Sequence, residues 1–381
     1  MQKILAYCVL VVLLVLQSFV AQAEEAAVPE VSLKTMVGQM VMAGFRGEGA
    51  TSAHVLLRDI KQHKIGGVIL FEKDALRPQA VRNIVSKEQV HDLVTILQDC
   101  SETPLLVAID QEGGKVCRFK PVHGFAGTPS AQKLGKNPVS EAFSAGEQTG
   151  AFLHQVGINL NFAPVLDVNI NPESPVIGAV ERSFSDDPAK VAMYGHAFAQ
   201  GMARHGVIAG YKHFPGHGSA LTDSHKGLPD VTETWSTREL VPFIELLDKE
   251  PAHVIMVGHL YNRSLDTDCP TSLSYAVVTE LLRTQLKYNG VVVTDDLQMD
   301  AIMNEYSIEE AAVKAVQAGC DILLVGNNME YDPDVVCKIV TAVTWAVHNG
   351  DVTLERIEAS YNRIKQLKRN AGLLVENVVM H

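Results

Sequence analysis

Short apolar runs recur along the chain, each closing on a glycine or a polar side chain: residues 39–45, 67–71, 105–110, 159–167, 208–213, 254–259, 291–295 and 322–325. Runs such as Val254-Ile255-Met256-Val257 and Val291-Val292-Val293 show no polar alternation, which predicts strands buried on both faces, as in a parallel sheet. Between them, apolar residues return at steps of three and four over 86–100, 140–156, 188–205, 237–249, 274–287 and 307–318, which predicts helices. Eight strands alternating with helices predict an α/β fold, a single (β/α)8 barrel of the TIM type. An open doubly wound sheet is the alternative. No G-x-G-x-x-G opens a helix after an early strand, so a nucleotide-dependent redox enzyme lacks its usual mark.

In such barrels the chemistry gathers at the C-terminal ends of the strands. Here the third run leads into Asp110-Gln111-Glu112-Gly113-Gly114, the fourth ends in Asp167, the fifth in Lys212-His213, the sixth in His259 and the seventh in Asp295-Asp296. One polar residue at a strand exit is commonplace, but five clusters converging on one mouth predict a site. Neighbouring residues on a strand point to opposite sides, so unless the backbone bends there only one of Asp295 and Asp296 is expected to face a substrate.

At the N-terminus, Lys3 precedes an apolar run from Ile4 to Leu16, and Ala21-Gln22-Ala23 has the small-x-small pattern of a signal-peptidase site. Residues 1–23 therefore read as a signal peptide cleaved after Ala23, with 24–381 as the barrel domain and a periplasmic or secreted location. The run is shorter than the ~20 residues that span a bilayer, so no stable membrane span is expected after its removal. The net charge of −12 disfavours nucleic acid as a partner. Five cysteines follow the leader: Cys100, Cys117, Cys269, Cys320 and Cys337. An odd number without a C-x-x-C pair argues against a disulfide framework or a zinc ribbon, and leaves buried thiols as the expectation.

The segment from Lys212 to His225 packs three histidines, a lysine and an aspartate into a loop that Pro215, Gly216 and Gly218 keep from being helical. Asp223 and His225 are two apart, so in extended chain they leave on the same side. A carboxylate holding one imidazole nitrogen frees the other to exchange a proton near neutral pH. Other readings are a metal site built from His213, His217 and His225, which lacks H-E-x-x-H; a serine hydrolase using Ser219 or Ser224, which lacks G-x-S-x-G; and a purely structural loop.

Taken together, Lys212-His213-Phe214-Pro215-Gly216-His217-Gly218 with Asp223-Ser224-His225, Asp110-Gln111-Glu112-Gly113-Gly114, Glu181-Arg182-Ser183-Phe184 and Thr294-Asp295-Asp296-Leu297-Gln298-Met299 resemble glycoside hydrolase family 3, in its bacterial β-N-acetylglucosaminidase branch. The resemblance implies a retaining exo-β-N-acetylhexosaminidase with a carbohydrate partner, which removes terminal N-acetylglucosamine from peptidoglycan fragments or chitin oligosaccharides and needs no cofactor or metal. It implies Asp295 as the nucleophile that forms a glycosyl-enzyme intermediate, His225 as the acid/base and Asp223 as the group that orients it. Asp110, Arg118, Arg182, Lys212 and His213 match the family's sugar-binding positions, where carboxylates accept from hydroxyls and cations donate to oxygens. Lys115 departs from the arginine often found after the double glycine. Larger members take their acid/base from a second α/β domain; the about 55 residues after Gly326 are too few for it. A phosphorylase using the same residues and a non-catalytic sugar-binding barrel remain alternatives. The first would release the sugar 1-phosphate.

Overall fold

The computed structural model describes residues 31–224, 227–250 and 253–374, so the expected leader 1–23 and His225 lie outside the described residues. Eight parallel strands follow in chain order: β1 Val41–Gly44, β2 Gly67–Ile69, β3 Leu106–Ile109, β4 Leu160–Asn161, β5 Ile208–Phe214, β6 His253–Val257, β7 Val291–Thr294 and β8 Leu323–Val325. Each predicted run overlaps one, with β5 and β6 reaching one residue further, to Phe214 and His253. They pair in the order β7-β6-β5-β4-β3-β2-β1-β8. A parallel bridge from Val293 to Ile322 joins the two ends, so the sheet closes as a (β/α)8 barrel. Every strand residue is buried, since side chains fill the inside and helices cover the outside, and this burial produced the unbroken apolar runs.

The predicted helices form at Lys87–Asp99, Val139–Gln155, Pro188–Ala203 and Ile308–Ala318. Their starts are chemically marked: Ser86 accepts from the Gln89 amide, and Ser307 and Glu310 form a capping box. The predicted helix over 237–249 splits into a 3₁₀ turn, Thr237–Leu240, and a short α-helix, Val241–Leu246, with Pro242 in its first turn. The segment expected over 274–287 winds as a π-helix, Ala276–Gln285.

Two expectations need correction. The apolar run 159–167 is regular strand only over β4; past Asn161 the pairing is interrupted, resuming at a single parallel bridge from Val165 to Lys212, where the Leu166 amide donates to Lys212 O at 2.7 Å. All five described cysteines are free, yet only Cys320 is buried. Cys100, Cys117 and Cys269 are half-buried and Cys337 is exposed on the helix Val335–Asn349. No described helix is long and apolar enough to cross a membrane.

Candidate active site

The C-terminal mouth of the barrel opens into a cavity of about 290 Å³, lined among others by Asp110, Glu112, Arg118, Arg182, Lys212, His213 and Asp295. That is near the lower limit of ordinary ligand sites, suited to one sugar ring more than to a chain of them. All five expected sugar-binding residues and the expected nucleophile meet there. They come from the end of β5 and from loops after β3, β4 and β7, which only closure of the barrel brings to one place.

Lys212 is the hub of the charged wall. Its side chain is 3% exposed, and its Nζ donates to Asp110 Oδ1 at 2.8 Å and lies 2.6 Å from Glu112 Oε1. Arg118 Nη2 donates to the other Asp110 oxygen at 3.0 Å. Arg182 grips Glu112 with Nε at 2.8 Å and Nη2 at 2.7 Å, a bidentate fork. Burial pushes both carboxyls up, but the cations outweigh it: Arg182 and Lys212 hold Glu112 at about 2, and Lys212 and Arg118 hold Asp110 well below its ordinary value. The same carboxylates raise Lys212 against the effect of its burial, so Lys212 and both carboxylates stay charged at neutral pH.

Lys212 and His213 are neighbours on β5, yet both line the cavity. Tyr211 pairs with Ile255 and Phe214 with Val257, which puts three steps of β5 against two of β6, a bulge that breaks the in-out alternation. His213 Nδ1 lies 2.6 Å from Asp167 Oδ2. Asp167 is fully buried and sits at about 2; burial alone would raise it, and His213, together with the amides of His213 and His217 on its other oxygen, overrides that. An ionised carboxylate only accepts, so Nδ1 carries the proton, leaving Nε2 to face Arg182 Nη2 at 3.4 Å.

The loop after β5 is clamped from both sides. A Cβ on Gly218 would sit 1.6 Å from the Val168 carbonyl oxygen, and Gly216, with φ +122°, has room for no side chain against Glu239. Glu239 is fully buried, accepts from the Gly218 amide at 2.8 Å and is pushed up to about 7 by burial. His217, also buried, is driven down to about 4 by burial and by His213. Farther along, Asp223 is half-buried, and Ser224 is buried and lines the cavity immediately before His225.

Asp295 follows β7 and its amide donates to Val257 O at 2.9 Å. Both Asp295 and Asp296 line the cavity, because β7 ends at Thr294 and the backbone bends there, the condition under which strand parity no longer separates them; the Asp296 amide donates to Asp295 Oδ1 at 2.8 Å. One oxygen of Asp296 is committed to the amides of Gln298 and Gly326, at 3.0 and 2.9 Å, which ties the β7 and β8 loops together. His259 supports this turn: its Nε2 lies 2.9 Å from Asp296 O, a carbonyl that can only accept, so that nitrogen is protonated and Nδ1 accepts from Ser272 Oγ at 2.6 Å.

Glu112, Asp167 and Asp296 stand in the strand-end clusters but carried no expected catalytic or sugar-binding role. The first two act by pairing with residues 70 and 46 positions away, respectively, and such pairing leaves no local mark. Lys115 instead donates to Ala179 O, away from this wall. No described group of three His, Cys, Asp or Glu side chains is placed to hold a metal ion.

Residues 32–367 match the family model of the glycosyl hydrolase family 3 N-terminal domain. The chain is 33% identical over 389 residues to Beta-hexosaminidase A of Pseudoalteromonas piscicida, an alignment covering 91% of this chain and 62% of that protein. It is 39% identical over 278 residues to the Beta-hexosaminidase of Tolumonas auensis, covering 71% and 78%. Among solved structures, a glycoside hydrolase family 3 beta-N-acetylglucosaminidase from Paenibacillus sp. str. FPU-7 superposes with a TM-score of 0.82 at 36% identity, covering 92% of this chain and 65% of that one. The chain thus spans less than two thirds of the first relative and of that solved structure.

Proposed function

The chain belongs to glycosyl hydrolase family 3, and from that membership we propose that it is a β-N-acetylhexosaminidase that removes a terminal, β-linked N-acetylglucosamine with retention of configuration. One observation carries the reading: the Asp295 carboxylate shares a cavity fit for one sugar ring with the Asp110–Lys212–Glu112–Arg182 cluster. Peptidoglycan fragments and chitin oligosaccharides, met in the periplasm or outside the cell, are the proposed substrate classes. The names of the relatives support hexosaminidase activity.

In this reading the charged wall fixes the non-reducing sugar. The ionised Asp110 and Glu112 accept from hydroxyls while Arg118, Arg182 and Lys212 donate to oxygens, and the fixed lattice sets the ring over Asp295. Asp295 attacks the anomeric carbon and forms a glycosyl ester as the aglycone leaves. His225 gives the leaving oxygen its proton and then takes one from water, with Asp223 holding the imidazole. An imidazole suits both steps, since its ordinary value near 6.5 lies close to working pH. The support for this loop's role is that Ser224, the preceding residue, is part of the cavity wall.

The test is mass spectrometry of the protein after a slow 2-deoxy-2-fluoro or 5-fluoro glycoside inactivator. The label is expected on the peptide carrying Val291–Thr294 and Asp295. Labelling of a different peptide, or none with substrate turning over, overturns the assignment. Product analysis with and without phosphate separates hydrolysis from phosphorolysis: free N-acetylglucosamine supports the proposal and its 1-phosphate refutes it.

A further inference from the structure

Polar groups are unevenly spread around the cavity. The ion lattice rises from β3 to β5, whereas β8 lies in the opposite half of the ring and its loop brings one uncharged polar side chain, Asn328. Asn328 Oδ1 accepts from Arg82 Nη1 at 2.7 Å and from the Ala75 amide at 3.0 Å. Both partners can only donate, so the orientation of the amide is fixed by chemistry and both lone pairs of its oxygen are spent. Its Nδ2 has no hydrogen-bond partner among the described residues.

Arg82 explains why the amide stays put. It is 1% exposed, and its other hydrogen bonds go to the Gly326 and Asn327 carbonyl oxygens, both at 2.8 Å. A buried guanidinium with three acceptors on one loop locks the main chain leading into Asn328. Phe71, Leu324, Met299 and Met329 line the same cavity and add no charge. The β8 loop therefore offers a donor-only group beside apolar side chains, with the Asp296 carboxylate of the β7 turn adjoining it and tied by one oxygen to the Gly326 and Gln298 amides. A buried hydroxyl would need an acceptor for its own hydrogen, which the saturated Asn328 oxygen cannot supply. An acetamido group needs none on its carbonyl oxygen, which only accepts, and its methyl suits an apolar wall.

We propose that Asn328 is a specificity-determining residue: its Nδ2–H donates to the carbonyl oxygen of the substrate's acetamido group, whose methyl rests on the apolar wall, with Arg82 as the positioning residue that aims the amide. The proposal rests on the N-acetylhexosaminidase reading above.

Asn328→Asp is the discriminating variant, because a carboxylate keeps the bonds from Arg82 and Ala75 and replaces only the donor. Asn328→Ser, with a smaller neutral side chain, is the companion should the added charge prevent folding. Each is compared with wild type for kcat/KM on 4-nitrophenyl N-acetyl-β-D-glucosaminide and for competitive inhibition by N-acetylglucosamine and by glucose. The expected result is a loss of roughly tenfold or more in kcat/KM and in N-acetylglucosamine inhibition, with glucose inhibition unchanged. Arg82→Lys, which cannot reach all three acceptors, should give a smaller loss of the same selectivity. Equal weakening of both sugars, or unchanged preference in both Asn328 variants, overturns the proposal. A wild-type protein that releases no N-acetylglucosamine would instead refute the activity itself, so the two failures are distinguishable.

Discussion

Replacing Lys212 with methionine removes the cation shared by Asp110 and Glu112 while keeping most of the buried stem. The magnitude follows from Glu112. Held at about 2 against an ordinary 4.5, its carboxyl contributes about 3 kcal/mol at neutral pH. Arg182 is the larger source of that depression and Lys212 the smaller, so the lysine accounts for roughly 1 kcal/mol through Glu112. A similar or larger share comes through Asp110, where Lys212 leads Arg118. The expected loss is about 2–4 kcal/mol, in the range for breaking a buried charge pair. Its pH dependence has a definite sign. Carboxyls depressed in the folded state contribute stability above their unfolded value near 4.5, and that stability is lost as pH falls through about 2. The gap between wild type and Lys212→Met should therefore be fully open from pH 7 to about 5 and close progressively below 4.5. Urea unfolding midpoints of both proteins at pH 7, 5, 4 and 3 measure it. A gap that stays constant to pH 3, or widens on acidification, would refute the claim that Lys212 acts through these two carboxylates.

Asp295→Asn should reduce turnover by several orders of magnitude while leaving N-acetylglucosamine affinity nearly intact, as read by initial rates and calorimetry; parallel loss of binding would point to a positioning role instead. Glu239, raised to about 7 from 4.5, favours its neutral form when folded, so wild-type stability should fall as pH rises from 4.5 through 7. Glu239→Gln should accordingly stabilise the protein by up to about 3 kcal/mol at pH 8 and little at pH 4.5, and thermal midpoints that differ equally at both would contradict this. Gly218→Ala places a methyl 1.6 Å from the Val168 carbonyl oxygen, so the loop must shift; kcat on the N-acetylglucosaminide should fall at least tenfold, and an unaffected rate would show that the clamp does not position the site.

The barrel was legible in the chain because its cause is local to each strand. Burial on both faces demands apolar side chains at consecutive positions, and the eight runs follow from that demand. The same cause made the fourth run read as one long strand: 162–166 is covered as completely as β4, and apolarity reports covering without reporting that the pairing to β5 is interrupted before the Val165–Lys212 bridge. Helix ends were legible where a side chain caps them, as Ser86 and Ser307 do, and less so at Ala276–Gln285, whose ordinary helical periodicity does not distinguish π from α winding.

At the site, the residues that announced themselves are those in dense polar clusters at strand ends. Lys212, His213, Asp110 and Asp295 stand out because a buried parallel strand has little other reason to finish in charge. What stayed hidden is the pairing. Glu112 sat in view beside Asp110, but nothing in the sequence says that Arg182 will fork onto it or that Lys212 will bridge both acids. Arg82 left even less trace, being one arginine in a polar loop, and its value lies in three acceptors on a loop about 245 residues away. Charge at strand ends is therefore a signal of where chemistry gathers, whereas selectivity depends on neutral groups whose orientation is set by distant partners. In the proposed reading the Lys212 cluster holds a polyhydroxylated ring over Asp295, and the same ions would serve a glucoside or an N-acetylglucosaminide. Discrimination between them has to come from a part of the wall that responds to the acetamido group alone, and the fixed Asn328 amide among apolar neighbours meets that condition.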